Sequence, residues 1–289
     1  PFGYLMQYVL RLEPVEEPER AVGLSALDRG TLMHNILFDF FSGLGREKRL
    51  PPKESDWPRL EAAALKRFER FEREGVTGYP LPWSIAKRSM LEELREFLSR
   101  EQKAREGFVP AWFELRFGAS RHEAVESDKS SDAPAVLRLP DGSEARFSGR
   151  IDRVDWDRNR KLCRILDYKT GRPKDGLKND SLLGGRALQL PVYLLAAQKL
   201  FPDLTVESAA YYHIGAVGKW KQITFGGEPW EEKAKLLGEA VATLLEGIRS
   251  GCFMPRPEPG TCEYCDYRLT CGHGDRKSTR LNSSHRMPS

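Results

Sequence analysis

One stretch leaves this chain few folds to choose from. From Ala145 to Lys169 it reads ARFSGRIDRVDWDRNRKLCRILDYK. Apolar and charged residues alternate from about Ala145 to Trp156, the two-residue period of a strand. The polar run DRNR, with Asn159 at its centre, predicts a turn. A second strand follows from Leu162 to Lys169. Period two puts Cys163, Ile165, Asp167 and Lys169 on one face, so a carboxylate and an ammonium leave an otherwise apolar face together. That is costly unless the charges are paired or used. Asp152 lies on the partner strand, within reach of a cation shared with Asp167. Two carboxylates around a divalent metal, with a lysine beside the attacked phosphate, make a workable phosphodiester-cleaving site.

G-x-x-D at Gly149–Asp152, followed fifteen residues later by D-Y-K-T-G from Asp167, resembles the core of PD-(D/E)XK nucleases, in particular the RecB/AddB type of bacterial helicase–nucleases. The resemblance implies an α/β (α+β), restriction-endonuclease-like core: a central mixed sheet flanked by helices, with a helical insertion and a cysteine-rich C-terminal staple. The domain would run over 1–274, with the insertion at about 52–107 and the staple at 252–274.

The rest of the chain is read in that frame. Phe2, Leu5, Met6, Val9 and Leu10 predict a docking helix from Pro1 to Leu12, ended by Pro14 and Pro18. A helix is predicted from Asp28 to Phe41, capped by Thr31 or Asp28. His34 sits within its pattern, where a lone histidine is ordinarily structural. Yet R-G-T-L-x-H before an apolar helix resembles the opening motif of RecB-type nucleases, which makes His34 a metal ligand. Ser55–Glu74 and Pro82–Gly107 predict two amphipathic helices, the second with Ile85, Met90, Leu91, Leu94 and Leu98 inward. Val109–Phe117 predicts a strand. Family members often carry a glutamate in such a strand, and Glu114 is either that acid or a structural one. Ser120–Pro134 reads as a polar loop and Gly171–Gly185 as a loop at the site mouth. Ala187–Leu200 predicts a helix whose Gln189 and Tyr193, four apart, share a face. The pair resembles the family's Q-x-x-x-Y motif; alone it is an amide and a phenol at a helix edge. Glu207–Ile214 and Trp220–Phe225 predict strands of a sheet of at least five. Glu228–Ser250 predicts a helix with Trp230, Ala234, Leu237, Val241, Leu244 and Leu245 inward.

Composition matters chiefly through charge. The net charge is +4. Residues 275–289 read as a non-native tail, and the last fourteen carry Arg276, Lys277, Arg280 and Arg286 with no acid, so without them the net charge is zero. Overall basicity is therefore no argument for nucleic acid. Local charge is a better one: Arg146–Lys178 holds eleven basic and five acidic residues, the balance of a phosphate-tracking surface or of a solvated hairpin rim. No apolar run reaches the ~18 residues of a membrane span, and no signal peptide is visible, so the expected location is cytoplasmic. Gly218-Lys219 is followed by Trp220, which rules out a phosphate-binding P-loop there.

Five cysteines occur, and a disulfide framework is not expected without signs of secretion. Cys163 reads as a small buried apolar residue. Cys262, Cys265 and Cys271 form C-x2-C-x5-C, three thiolates where a tetrahedral or cubane site needs a fourth ligand. In AddB-type nucleases and the related CRISPR-adaptation nucleases, three such cysteines join one far upstream around a 4Fe–4S cluster. In AddB-like sequences that cysteine commonly precedes a Pro-Phe pair. This chain starts Pro1-Phe2, which suggests a cut just after the missing ligand; the rival is Cys252 as fourth ligand of a zinc knuckle.

The resemblance implies DNA phosphodiester hydrolysis. His34, Asp152, Asp167 and the Tyr168 carbonyl would hold Mg²⁺ or Mn²⁺. Lys169 would orient water or stabilise charge on phosphorus, and Gln189 and Tyr193 would support the strand being cut. A helicase motor, in the same parent chain or a partner subunit, would deliver DNA for break repair and recombination. The rivals are a retired nuclease that only binds DNA, a zinc-stapled scaffold, and a free-standing CRISPR-adaptation-type nuclease.

Overall fold

The computed structural model describes residues 2–13, 23–103, 106–118, 129–174, 176–255, 262 and 265–271. The helices are α1 (Phe2–Tyr4), α2 (Ala26–Arg46), α3 (Trp57–Glu74), α4 (Pro80–Lys103), α5 (Gln189–Leu200), α6 (Gly215–Gly218), α7 (Trp230–Arg249) and α8 (Arg268–Cys271). The strands are β1 (Val109–Phe117), β2 (Ala135–Arg138), β3 (Glu144–Phe147), β4 (Gly149–Asp157), β5 (Leu162–Lys169), β6 (Thr205–His213) and β7 (Gln222–Gly226). The chain forms two compact units, Glu19–Val241 and a smaller one made of Pro1–Pro18 and Ala242–Ser289.

The larger unit is built on a five-stranded mixed sheet of order β1-β4-β5-β6-β7. β5 pairs antiparallel with β4 and parallel with β6, and α5 makes the crossover that a parallel pair requires. The predicted hairpin is present. Asp157 Oδ1 accepts from the N–H groups of Asn159 and Arg160, both at 3.0 Å, which closes its turn. Its first strand is not continuous as expected. β3 pairs with β2 in a separate two-stranded sheet, and β4 begins afresh at Gly149. A Cβ on Gly149 would lie 2.9 Å from Phe117 Cζ, so only glycine lets β4 start against that ring. The β2–β3 ribbon had no sequence signal strong enough to separate it from the polar loop before it. Of that predicted loop, 120–128 lie outside the described residues.

One face of the sheet is covered by α2, α3 and α4. Leu32, Ile36, Phe40, Leu60, Phe68, Met90, Leu94 and Phe97 form their shared core. α2 starts earlier than predicted, and its cap is Ser25, whose Oγ accepts the Asp28 N–H at 3.0 Å; Thr31 and Asp28 lie inside the helix. Met90, Leu94 and Leu98 point inward on α4, but Ile85 is 57% exposed. It lies five residues before Met90, about 140° round the helix, and so leaves the stripe. On α7, Leu237 and Val241 are buried but Leu244 is exposed. No described helix is long and apolar enough to cross a membrane.

In the smaller unit the predicted N-terminal helix shortens to α1 and a π-turn, Leu5–Val9, while Pro14 and Pro18 lie outside the described residues. Tyr4 stacks on Phe253 at 6.3 Å, and the Tyr267 hydroxyl donates to the Leu12 carbonyl at 3.2 Å. The cysteine segment is thus fastened to the N-terminal one.

Candidate active site

The site lies where the sheet forks. The β4–β5 ladder ends at the pair Arg153↔Leu166, whereas β5 stays paired with β6 as far as Lys169↔His213. Before Arg153, β4 keeps only its other neighbour, β1, with which it pairs along its length. Asp167, Tyr168 and Lys169 therefore lose their β4 partner, and buried main-chain groups must be satisfied in some other way. Side chains do it. Asp152 Oδ2 accepts the Tyr168 N–H at 2.8 Å, and His34 Nε2 lies 2.8 Å from the Tyr168 carbonyl oxygen. His34 Nδ1 is 3.3 Å from the same Asp152 oxygen, which closes a ring through α2, β4 and β5.

Glu114 completes the acidic cluster. It sits on β1 between the pairs Phe113↔Arg153 and Leu115↔Ile151, which places it across from Asp152. Its φ of +51° is a left-handed conformation that a non-glycine residue adopts at a cost, and such strain tends to persist at functional positions. Ligand atoms of His34, Glu114 and Asp152 all lie within 4.8 Å of one another, the only such cluster among the described residues. Arg150 Nε is 2.7 Å from Glu114 Oε2.

Asp167 is 1% exposed. Its Oδ1 accepts from Gln189 Nε2 at 2.7 Å. Its Oδ2 lies 2.5 Å from Lys169 Nζ, but off a hydrogen-bonding direction, and has no other donor. Lys169 also donates to Gln189 Oε1 at 3.2 Å and lies 5.2 Å above the Tyr211 ring. Gln189 gives its second amide hydrogen to Tyr193 Oη at 2.8 Å, and Tyr193 donates to the Arg150 carbonyl at 2.6 Å. The Q-x-x-x-Y pair thus braces α5 against both strands of the fork.

The electrostatics are those of an anionic site. Burial, then the charge of Asp152, push Asp167 up to about 6, against the pull of Lys169. Burial also raises Glu114, with Asp152 adding to it and Arg150 opposing. Burial alone would lower His34, but its hydrogen bond to Asp152 and the charges of Asp152 and Asp167 outweigh that and raise it above 6.5. Both ring nitrogens face oxygen atoms, which favours the protonated imidazole. Imidazole and carboxylate donors with a buried, underused oxygen on Asp167 suit a hard or borderline divalent cation.

A family model described as the PD-(D/E)XK nuclease superfamily matches residues 1–272. The chain belongs to this superfamily. Relatives named as subunits of an ATP-dependent helicase/deoxyribonuclease include one from Caldanaerobacter subterraneus subsp. tengcongensis, 30% identical over 207 residues that make up 67% of this chain and 16% of the relative. One from Geobacillus kaustophilus is 31% identical over 229 residues, 74% of this chain and 18% of the relative. One from Clostridium kluyveri is 29% identical over 219 residues, 71% and 17%. The chain spans about a sixth of the length of these relatives.

In this nuclease the structure brings His34, Asp152, Asp167, Tyr168, Lys169, Gln189 and Tyr193 together around the fork. Glu114 joins them as a full member of the acidic cluster. Alternation alone could not show that, because the sequence does not reveal the left-handed kink that turns the strand there. Among the described residues, Cys262, Cys265 and Cys271 do not converge to ligand distance. Cys163 is fully buried on β5, and burial pushes its thiol up to about 12, as befits a packing residue.

Protons and a metal compete for these atoms. With Asp167 pushed up to about 6 and His34 raised above its usual range, both carry protons more readily at acidic pH and lose them as pH rises. The Mn²⁺ concentration giving half-maximal binding should therefore fall between about pH 5.5 and pH 8, by roughly tenfold per unit where one proton is displaced. Titrating Mn²⁺ against the DNA-free protein at each pH checks this; a midpoint independent of pH would contradict it.

Proposed function

We propose that this domain hydrolyses DNA phosphodiester bonds with a divalent cation, Mg²⁺ or Mn²⁺, held by His34, Glu114, Asp152, Asp167 and the Tyr168 carbonyl. The observation that carries the reading is the convergence of the imidazole and two carboxylates within 4.8 Å, beside Asp167 and Lys169. A bound cation supplies positive charge that polarises the scissile phosphate and acidifies water. The chain's own groups do the rest. Lys169, fixed by Asp167, Gln189 and the Tyr211 ring, presents an ammonium that orients water or stabilises charge on phosphorus. Gln189 and Tyr193 keep the two strands at a fixed separation and support the DNA strand being cut. The intact set favours an enzyme over a retired binding module, because each group is hydrogen-bonded or ion-paired toward the same point.

The relatives, named subunits of an ATP-dependent helicase/deoxyribonuclease, support placing the domain in a helicase–nuclease, and we infer that it works on DNA delivered by a motor in double-strand break repair. For the cysteines we propose a 4Fe–4S cluster on Cys262, Cys265 and Cys271. The fastening of Tyr267 to the N-terminal segment supports a staple between chain ends. Iron and sulfide should be counted after anaerobic expression, with and without a cysteine added ahead of Pro1. A cluster gained with the added cysteine supports this arrangement, while stable iron that Cys252→Ser removes assigns the fourth place to Cys252, and a colourless zinc protein overturns the cluster.

Cleavage of end-labelled single-stranded and duplex DNA, with and without EDTA, tests the activity. Asp167→Ala and Lys169→Ala should each lower the single-turnover rate by about a hundredfold or more while leaving the circular dichroism spectrum unchanged. Wild-type cleavage by either variant, or cleavage that persists in EDTA, would sink the assignment.

A further inference from the structure

Among the described residues, the largest fully buried side chain is charged and lies outside the site. Arg153 is 2% exposed and lies on the last rung of the β4–β5 ladder, one residue from Asp152. Its Nε and Nη2 donate to Asp155 Oδ1 and Oδ2 at 2.5 and 2.9 Å, and Nη2 lies 2.8 Å from Glu101 Oε2 on α4. The guanidinium sits 4.8 Å over the Phe41 ring of α2. Its remaining nitrogen, Nη1, donates to the phenol oxygen of Tyr168 at 3.0 Å. Asp155 is fully buried, and Arg164 Nε lies 3.2 Å from its Oδ2, so the buried charges are matched in sign.

Such a cluster is a poor way to gain stability. Desolvating these ions is expensive, and well-packed apolar side chains of similar volume often hold a fold as well or better. Its geometry has a more specific consequence. Tyr168 is the residue beyond the fork whose N–H and carbonyl are held by Asp152 and His34. Its ring is buried against Phe97 and Tyr212, at 5.9 and 6.4 Å between centroids. The Arg153–Tyr168 bond runs from the last paired rung to the first residue held by side chains, and so sets how far the fork opens.

We infer that Arg153 is a positioning residue for the metal site. Clamped by Asp155 and Glu101, it fixes the Tyr168 phenol, and through that ring it fixes the peptide whose carbonyl faces His34. Glu101 ties the same clamp to α4. This rests on the metal-dependent reading of the site, and the test separates the two.

The measurement is direct Mn²⁺ binding to the DNA-free protein, followed by electron paramagnetic resonance, with thermal unfolding alongside. Tyr168→Phe keeps the ring and the main-chain carbonyl and removes only the atom that Arg153 holds. It should weaken Mn²⁺ binding by about tenfold, the scale of one hydrogen bond to a charged group. Tyr212→Phe, in the same aromatic cluster, should bind as wild type does, which a general loosening of the core would not allow. Arg153→Lys keeps the charge between Asp155 and Glu101 but not the fork-spanning geometry. Where it folds, it should weaken binding at least as much, and adding Tyr168→Phe to it should cost little more, because both break one linkage. Unchanged Mn²⁺ affinity in Tyr168→Phe, or an equal loss in Tyr212→Phe, overturns the inference alone. A wild-type protein that binds no Mn²⁺ overturns the reading beneath it as well.

Discussion

Everything at the site depends on one missing set of hydrogen bonds. β5 runs past the end of β4's ladder, and Tyr168 is left with an N–H and a carbonyl that β4 does not answer. The sequence supplies Asp152 and His34 in its place. An unmet main-chain demand within a sheet thus becomes the reason that an acid and an imidazole from different elements point at one spot. β1 contributes Glu114 because it pairs with β4 along its length, past the point where the β4–β5 ladder ends. The parallel β5–β6 pair keeps the other edge of β5 rigid, so the fork opens on one side only.

Charge follows from that geometry. Asp167 and Glu114 are carboxylates whose burial works against ionisation, while His34 is drawn toward its protonated form by the acids around it. Three carboxylates, Glu114, Asp152 and Asp167, thus crowd one spot. Lys169 offsets part of their charge at Asp167, and Arg150 part at Glu114. A divalent cation would offset more, and the same charge serves a phosphodiester as it is attacked. Farther back, Arg153 and Arg164 with Asp155 and Glu101 form a charge-balanced set.

Much of this was legible in the amino-acid order, for physical reasons. Period two carried the hairpin, and β1 and β5 fall on their predicted residues because their apolar pattern is unbroken. Asp167 and Lys169 were legible because charges leaving an apolar face need a use. Other features depend on tertiary contacts that leave little local trace. At the break by Ser148, Phe117 lies against Gly149 where no side chain would fit, and Glu114 takes a left-handed φ within β1. Ile85 was misplaced because an apolar residue near a helical stripe was read as part of it. Arg153 and Asp155 share the Ile151 face of β4, and two charges on one face read as a solvated one; only the position of α2 and α4 shows that this face is covered.

The central claim is that the fork holds a divalent cation. Crystals of the DNA-free protein grown with Mn²⁺ at about pH 7.5, where protons compete less than in acid, and measured at the manganese edge test it most directly. The account predicts one strong anomalous peak bounded by the side chains of His34, Glu114, Asp152 and Asp167 and by the carbonyl of Tyr168. A map with no peak there, or with its strong peak away from these residues, would contradict it.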